Sequence, residues 1–180
     1  MFYSISSPQK GLSGIDVAKH LIKSVVSLVV EKHGDNEKLI FCTLSPLPGF
    51  RKWLEGEIDA GNIQDSFNVK SIHYPQDITK KEDDAQFKKY LLENCIRYLM
   101  DAKRNGKEKR ECLDPVANFH LKNGASLYRL NWFADISKKG IDQSFGLMVN
   151  YYYDLRELDR NRDNYISRGF INANKDNIGV

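Results

Sequence analysis

A short apolar run that leads into two prolines and a glycine limits most strongly how this chain can fold. Residues 39–44 are mostly apolar, and the run is too short for a helix, so it predicts a buried strand. Residues 45–50 follow at once, and their prolines and glycine predict a rigid turn that ends the strand. Ser45 is therefore expected at the end of a strand, where open α/β sheets usually bind ligands.

Two helices are predicted by apolar side chains that recur at helical spacing. Residues 15–32 place six apolar side chains on one face, which predicts a helix with one buried side. These are Ile15, Ala18, Leu21, Ile22, Val25 and Val29. Residues 85–103 show the same spacing and predict a second helix. Residues 55–84, between the two, are polar and weakly periodic, and predict a loop with short helices.

Alternating side chains predict two strands late in the chain, over residues 126–132 and 146–153. In the second strand Leu147, Val149, Tyr151 and Tyr153 share one face. A further short strand is predicted over residues 2–7, where Pro8 ends it. Strands and helices in this order indicate an α/β or α+β fold. Residues 154–180 are rich in Asp, Asn and Arg, and predict a polar, poorly ordered C-terminal tail.

Composition excludes several classes of function. The 27 basic and 24 acidic residues give a net charge of +3, which argues against a nucleic-acid or membrane-surface partner. We find no apolar stretch of the roughly 20 residues that span a bilayer, and no secretory signal. The three cysteines and four histidines are scattered without metal-ligand spacing, so we predict no metal and a reducing, cytoplasmic location.

A glycine-bearing loop before the first helix is a candidate anion site. Gly11 and Gly14 allow backbone to approach a ligand closely. The free N–H groups of the following helical turn favour a phosphate. The alternative is an ordinary strand-to-helix turn.

Ser45, His120 and the tyrosines of residues 150–153 are the other candidates, and each has a plain structural alternative. Ser45 could cap backbone in its turn. His120 could be a half-buried structural residue or a general acid that titrates near neutral pH. The tyrosines could pack the core, although a buried tyrosine hydroxyl needs a partner.

Three long motifs follow one another along the chain. The first is Phe2-Tyr-Ser-Ile-Ser-x-x-Gln9-x-Gly11-Leu-x-Gly14. The second is Leu44-Ser-Pro-Leu-Pro-Gly-Phe-x-Lys-Trp-Leu54, and the third is Leu113-Asp-Pro-Val-Ala-Asn-Phe-His-Leu-x-Asn-Gly-Ala125. In this order they resemble the coenzyme A-binding, serine and histidine segments of malonyl-CoA decarboxylases. Further matches at residues 129–135, 140–141 and 146–153 extend the resemblance over residues 2–153.

The resemblance implies a fold and a reaction. The fold is an acetyltransferase-like α/β domain of the GNAT type, which in this family follows an all-helical domain. The reaction converts malonyl-CoA to acetyl-CoA and carbon dioxide, without a metal or organic cofactor, in fatty-acid and malonyl-CoA metabolism. Residues 1–153 are accordingly predicted to be a partial catalytic domain, and residues 154–180 its tail.

The resemblance also implies which residues form the site. His120 matches the proton donor and Ser45 the proton acceptor of the family, and Tyr153 matches a tyrosine near the reaction centre. Ser45 and His120 would also contact the substrate. The coenzyme A-binding segment would comprise Gly11, Ser13, Gly14, Ile15, Asp16, Val17, Ala18 and Lys19. The family often has glutamate where this chain has Asp16, whose carboxylate reaches less far.

The chain departs from the family because it starts at the coenzyme A-binding strand. Without the helical domain and the first strands, the sheet is expected to have an open edge. We therefore expect a piece of an enzyme, partnered by a missing N-terminal helical part, with little activity alone. The alternatives are a GNAT-type acyltransferase and an inactive fragment that only binds coenzyme A. A homo-oligomer is as compatible with the sequence as a monomer.

Overall fold

The computed structural model describes residues 17–33, 40–79, 85–104, 110–174 and 178. The chain divides into two compact units, residues 1–40 and 41–180. The first contains helix α1, Val17–His33, which confirms the predicted helix from residue 17 onward. Its last turn carries Lys32 and His33, whose side chains suit the negative end of a helix dipole. The strand predicted over residues 2–7, with the edge expected there, lies outside the described residues.

An antiparallel sheet is the centre of the second unit. Its strands are β1 (Ser45–Pro46), β2 (Ser126–Asn131) and β3 (Met148–Tyr152), in the order β1-β3-β2. The predicted mixture of helices and strands is thus confirmed. Strand β3 confirms its predicted alternation, because Leu147, Val149 and Tyr151 are buried while Met148 and Asn150 are only half-buried.

The strand predicted over residues 39–44 is wrong in its burial. Residues 41–43 do run alongside β3, since the N–H of Thr43 donates to the Tyr151 carbonyl over 3.0 Å. The side chains of Ile40, Cys42 and Leu44 are nevertheless exposed. The segment continues the edge strand β1 and buries only its inner face, so apolar composition alone overstated its burial.

In the described part of this unit, five helices and a 3₁₀ turn at Val69–Ser71 precede Leu158. They are α2 (Phe50–Asp59), α3 (Pro75–Thr79), α4 (Ala85–Met100), α5 (Pro115–Lys122) and α6 (Lys138–Ser144). The helix predicted over residues 85–103 is confirmed and ends at Met100. Helix α6 was not predicted, because its two turns carry mostly polar side chains and show no apolar period. Its start is capped by Ser137, whose hydroxyl accepts from the Gly140 N–H over 3.0 Å.

Aromatic side chains from three helical segments meet in the core. The ring of Phe50 lies 5.8 Å from Tyr98 of α4 and 6.1 Å from Phe145 at the end of α6. Trp53 also packs on Tyr98, with the ring centroids 5.3 Å apart. These contacts fix the turn that follows Ser45 against α4, and such ring pairs add to the free energy of simple burial.

The tail predicted over residues 154–180 is wrong. Leu158–Arg168 form helix α7, in which Tyr165 and Asn161 are buried. Gly124 has a φ of +85°, and a Cβ there would lie 2.1 Å from the Leu158 carbonyl oxygen, so only glycine permits this close approach. Beyond α7 the chain returns to β2, where the N–H of Leu127 donates to the Asn172 carbonyl over 2.9 Å.

Helix α7 escaped prediction because its inner face carries hydrogen-bonding side chains instead of an apolar stripe. The Tyr165 hydroxyl accepts from the Cys112 N–H and donates to Asn118 Oδ1, each over 2.7 Å. This buried hydroxyl connects α7 to α5, and its loss would leave two buried polar groups without a partner.

We predict that Tyr165→Phe lowers the free energy of unfolding by about 1–3 kcal/mol, because both partners of the hydroxyl stay buried. Urea unfolding followed by circular dichroism measures the change. Tyr74→Phe is the matched control, since Tyr74 is 58% exposed. It should change the free energy by no more than about 0.5 kcal/mol. Equal effects of the two substitutions would contradict a structural role for α7.

Candidate active site

Ser45 lies on the inner face of the sheet, opposite β3. The antiparallel register pairs Ser45 with Val149, and by the same register Thr43 stands opposite Tyr151. Cross-strand partners point to the same side of a sheet, so these side chains share one face with Tyr153. Ser45 is buried although β1 is an edge strand.

Helix α5 brings His120 to the same face. Asp114 starts the helix, because its carboxylate accepts from the N–H groups of Val116 and Ala117, and Pro115 fits the first helical position. His120 lies in the last turn of α5. Its ring stacks on Tyr151 with the ring centroids 4.5 Å apart and the planes 22° from parallel.

Four side chains form one chain of hydrogen bonds across this face. His120 Nδ1 lies 2.7 Å from the Tyr153 hydroxyl, and His120 Nε2 lies 3.1 Å from Ser45 Oγ. The Ser45 hydroxyl donates to Thr43 Oγ1 over 2.8 Å. With its one proton used in this way, Ser45 accepts from Nε2–H, and Nδ1 accepts from the Tyr153 hydroxyl. The arrangement therefore assigns the ring proton to Nε2.

Burial keeps this chain of hydrogen bonds uncharged. Desolvation lowers the pKa of His120 to about 4, because an imidazolium ion would lose its water shell at this site. Desolvation likewise raises the pKa of Tyr153 above the ordinary tyrosine value. At neutral pH the site thus presents a neutral imidazole between two protonated hydroxyls. Such a site can donate a proton to a carbon or oxygen atom of a ligand, or accept one from it, although none of its own side chains is charged beforehand.

The structure brings together Ser45, His120 and Tyr153 of the predicted site. Val17, Ala18 and Lys19 lie in α1, in the other unit of the chain. The remaining five predicted coenzyme A-binding residues, from Gly11 to Asp16, lie outside the described residues. The binding segment therefore stays a prediction.

Sequence reasoning missed Thr43, and it assigned no particular role to Tyr151 among the candidate tyrosines. Thr43 accepts the Ser45 proton, and Tyr151 supplies the surface on which the imidazole lies. Each is two residues from a candidate on the same strand, Ser45 and Tyr153. Period-two spacing from those candidates would have found both.

Within residues 17–33, 40–79, 85–104, 110–174 and 178, no three His, Cys, Asp or Glu side chains group as metal ligands do. Among the helices in those ranges, none combines the length and the apolarity that crossing a bilayer requires.

Comparison with known proteins matches this chain to one family. Residues 1–177 match the family described as "Malonyl-CoA decarboxylase C-terminal domain". The chain is 35% identical to the goose (Anser anser anser) protein named "Malonyl-CoA decarboxylase, mitochondrial". That match covers 97% of this chain and 38% of the goose protein, so the chain spans about two fifths of its relative's length.

Solved structures agree with the sequence comparison. The crystal structure of malonyl-CoA decarboxylase from Rhodopseudomonas palustris superposes with a TM-score of 0.76 at 37% identity, over 97% of this chain and 40% of that one. The enzyme from Agrobacterium vitis gives a TM-score of 0.77 at 36% identity, over 97% of this chain and 43% of that one.

We predict that the His120 ring titrates near pH 4 in the folded chain, because burial lowers its pKa to about 4. Two-dimensional NMR of the ring carbons against pH measures the midpoint, and the spectrum of His120→Asn identifies the peak. In urea the same ring should titrate near the ordinary histidine value of about 6.5. A folded-state midpoint at or above about 6 would show that the ring is not desolvated.

The lowered pKa of His120 also affects how the free energy of unfolding depends on pH. Between about pH 4 and about pH 6.5 the unfolded chain binds a proton at His120 that the folded chain does not bind. The contribution of His120 to the free energy of unfolding therefore rises with pH across this window and is constant above it.

Proposed function

The chain belongs to the malonyl-CoA decarboxylase C-terminal domain family, and we propose from this that it converts malonyl-CoA to acetyl-CoA and carbon dioxide. The observation that carries the proposal is the uncharged chain of hydrogen bonds through Ser45, His120 and Tyr153. All three residues stand where the family's serine, histidine and tyrosine segments are matched. The relatives are longer than this chain, so the activity of the whole protein is part of the proposal.

The reaction needs a proton donor for carbon more than it needs a strong base. When the bond between the α-carbon and the carboxylate breaks, carbon dioxide leaves and its bonding electron pair forms the enolate of the thioester. The site must stabilise that charge and then deliver a proton to the α-carbon. Because the thioester itself receives the electron pair, we propose that no metal or organic cofactor takes part.

His120 is the proposed proton donor. With its pKa lowered to about 4 the ring is neutral at physiological pH, so the proton it gives is the one on Nε2. A neutral imidazole is a weaker acid than an imidazolium ion, but it can protonate an enolate carbon. That carbon is a far stronger base than the carboxylates or amines that an imidazolium ion usually protonates. Because the ring is neutral, it gives a bound malonyl carboxylate no strong counter-ion. The electron pair of the breaking carbon–carbon bond is therefore not held on the carboxylate.

Tyr153 is the proposed source of the replacing proton. Its hydroxyl lies 2.7 Å from His120 Nδ1 on the side of the ring away from Ser45. As Nε2 gives its proton to carbon, Nδ1 takes the tyrosine proton. After the products leave, Tyr153 takes that proton back from Nδ1 while water protonates Nε2 of the half-buried ring, which restores the Nε2–H form. The imidazole thus stays neutral at each stage, as burial of the ring requires.

Ser45 is the proposed acceptor and orienting partner. Its oxygen accepts from Nε2–H in the resting arrangement, which keeps the donor proton in place. The Ser45 hydroxyl can turn from Thr43 to donate to the malonyl carboxylate when substrate enters. The same residue then both binds the leaving group and releases the histidine proton toward carbon.

The proposal also covers the substrate, the location in the cell and the partners of this chain. We propose that malonyl-CoA is the substrate, with a role in fatty-acid metabolism. The cytoplasmic location, the homo-oligomer and the helical partner remain predictions. The goose relative is named as mitochondrial, so fractionation of cells expressing the tagged chain decides the location.

We predict that Ser45→Ala and His120→Asn each reduce carbon dioxide release from malonyl-CoA by about 10²-fold or more. Each change removes one end of the bond that orients the proton donor. Release is measured with the 180-residue chain and malonyl-CoA labelled at the free carboxyl, so that slow turnover is detected. The matched controls are Ser66→Ala and His73→Asn, two exposed residues away from the site.

Product analysis of the same reaction separates the rival functions. Acetyl-CoA in equal amount to carbon dioxide supports decarboxylation. Free coenzyme A together with a malonylated amine would instead show an acyltransferase. Release that equals the buffer rate would favour the inactive fragment over decarboxylation by this chain, and release that survives Ser45→Ala would contradict the proposed catalytic pair.

We predict that coenzyme A slows amide hydrogen exchange in residues 11–19, because N–H groups at the start of a helix suit a pyrophosphate. Exchange is followed by mass spectrometry with and without saturating coenzyme A. The peptide covering residues 50–59 serves as the internal control, since α2 has no proposed phosphate contact. Unchanged exchange in residues 11–19 would remove this segment from the proposed binding site.

A further inference from the structure

A buried carboxylate lies between the two segments that supply the catalytic pair. Asp114 is fully buried, and its Oδ1 accepts from the N–H groups of Val116 over 2.9 Å and Ala117 over 2.8 Å. Its Oδ2 accepts from the Tyr98 hydroxyl over 3.1 Å, and the backbone N–H of Gly49 also donates to the carboxylate. Capping the helix needs only the first of these oxygens.

The donors to Asp114 come from three parts of the fold. Val116 and Ala117 begin α5, which carries His120 in its last turn. Gly49 ends the rigid turn that begins at Ser45, and Tyr98 belongs to α4. The carboxylate thus connects the serine turn directly to the first turn of the histidine helix. Both connections are short and stiff, since one spans two prolines and the other two turns of helix.

The fit around the carboxylate is tight. A Cβ at Gly49 would lie 2.4 Å from the Tyr98 hydroxyl oxygen, closer than such atoms come. The φ of Gly49 is −111°, which any residue can adopt, so glycine is needed here for space alone. The serine turn can therefore approach Tyr98 and Asp114 only because residue 49 has no side chain.

The free energy of unfolding does not explain well why a carboxylate is buried at residue 114. Burial raises the pKa of Asp114 above its ordinary value even though four hydrogen bonds lower it, so the charge remains costly to bury. Serine would cap α5 without burying a carboxylate. The feature that only aspartate supplies at this position is a second oxygen that reaches Tyr98.

We propose that Asp114 is a positioning residue that sets the distance between Ser45 Oγ and His120 Nε2. It does so by joining the serine turn and the histidine helix through one rigid group. An error of about 1 Å between reacting groups can cost about 10²-fold in rate, so this connection matters for turnover. The kinetic consequence rests on the proposed function, whereas the hydrogen bond itself does not.

Asp114→Ser separates capping from positioning. Serine still accepts from the start of α5, so the helix stays capped, but its side chain is too short to reach Tyr98. We expect turnover of malonyl-CoA to fall about 10²-fold, with KM changed by less than about threefold. Ser137→Ala, which removes the cap of α6 far along the chain, is the matched control and should leave turnover unchanged.

NMR of the His120 ring tests the inference without any activity. The Nε2–H signal of the wild-type chain is assigned by its change in Ser45→Ala. In Asp114→Ser this signal should move to the position seen in Ser45→Ala, while backbone amides of α5 keep their dispersion. If the signal stays at its wild-type position in folded Asp114→Ser, the inference is overturned, whatever the activity.

A second variant serves if Asp114→Ser does not fold. Tyr98→Phe removes only the hydroxyl that donates to Oδ2, and we expect turnover about tenfold lower, with a partial shift of the Nε2–H signal. An unchanged Nε2–H signal in Tyr98→Phe overturns the inference. A wild-type chain that releases no carbon dioxide but shows the expected NMR shifts contradicts the proposed function and supports the positioning role.

Discussion

Desolvation of the His120 ring is the constraint on which the site depends. The ring lies on Tyr151 at 4.5 Å and is enclosed by Ser45 and Tyr153 at its two nitrogens. The ring is half-buried there, and desolvation lowers its pKa to about 4, so the ring is neutral at physiological pH and needs one donor and one acceptor. Ser45 of β1 and Tyr153, the residue that follows β3, provide these two partners, and α5 presents the ring to them.

Strand β3 is the element that meets this need most directly. It is the central strand, so its inner face is covered while both of its edges are paired. Tyr151 and Tyr153 project from that face two residues apart, one under the ring and one beside Nδ1. The edge segment that ends in Ser45 adds the second hydroxyl by antiparallel register. A slip of one residue would turn both tyrosines to the opposite face.

Sequence reasoning found the parts of this site that have a local pattern. The alternation of residues 146–153 was predicted, and the motifs pointed to Ser45 and His120. Period-two spacing places Thr43 and Tyr151 on the same faces as Ser45 and Tyr153. Their contacts with Ser45 and with the His120 ring depend on how segments far apart in sequence pack together, which no local period encodes. Helix α7 was missed for a different reason, since hydrogen bonds through Tyr165 attach it and apolar spacing does not.

Because of helix α7, the domain extends beyond residue 153, where the sequence analysis placed its end. The Tyr165 hydroxyl donates to Asn118 of α5, and Asn118 in turn donates to Glu111 Oε2 over 2.8 Å. The histidine helix is therefore fixed at its first turn by Asp114 and along its side by α7. Because both attachments act on the helix that presents His120, residues beyond 153 belong to the structure that positions the site. Polar contacts at both places fix direction as well as distance, which apolar packing alone does less strictly.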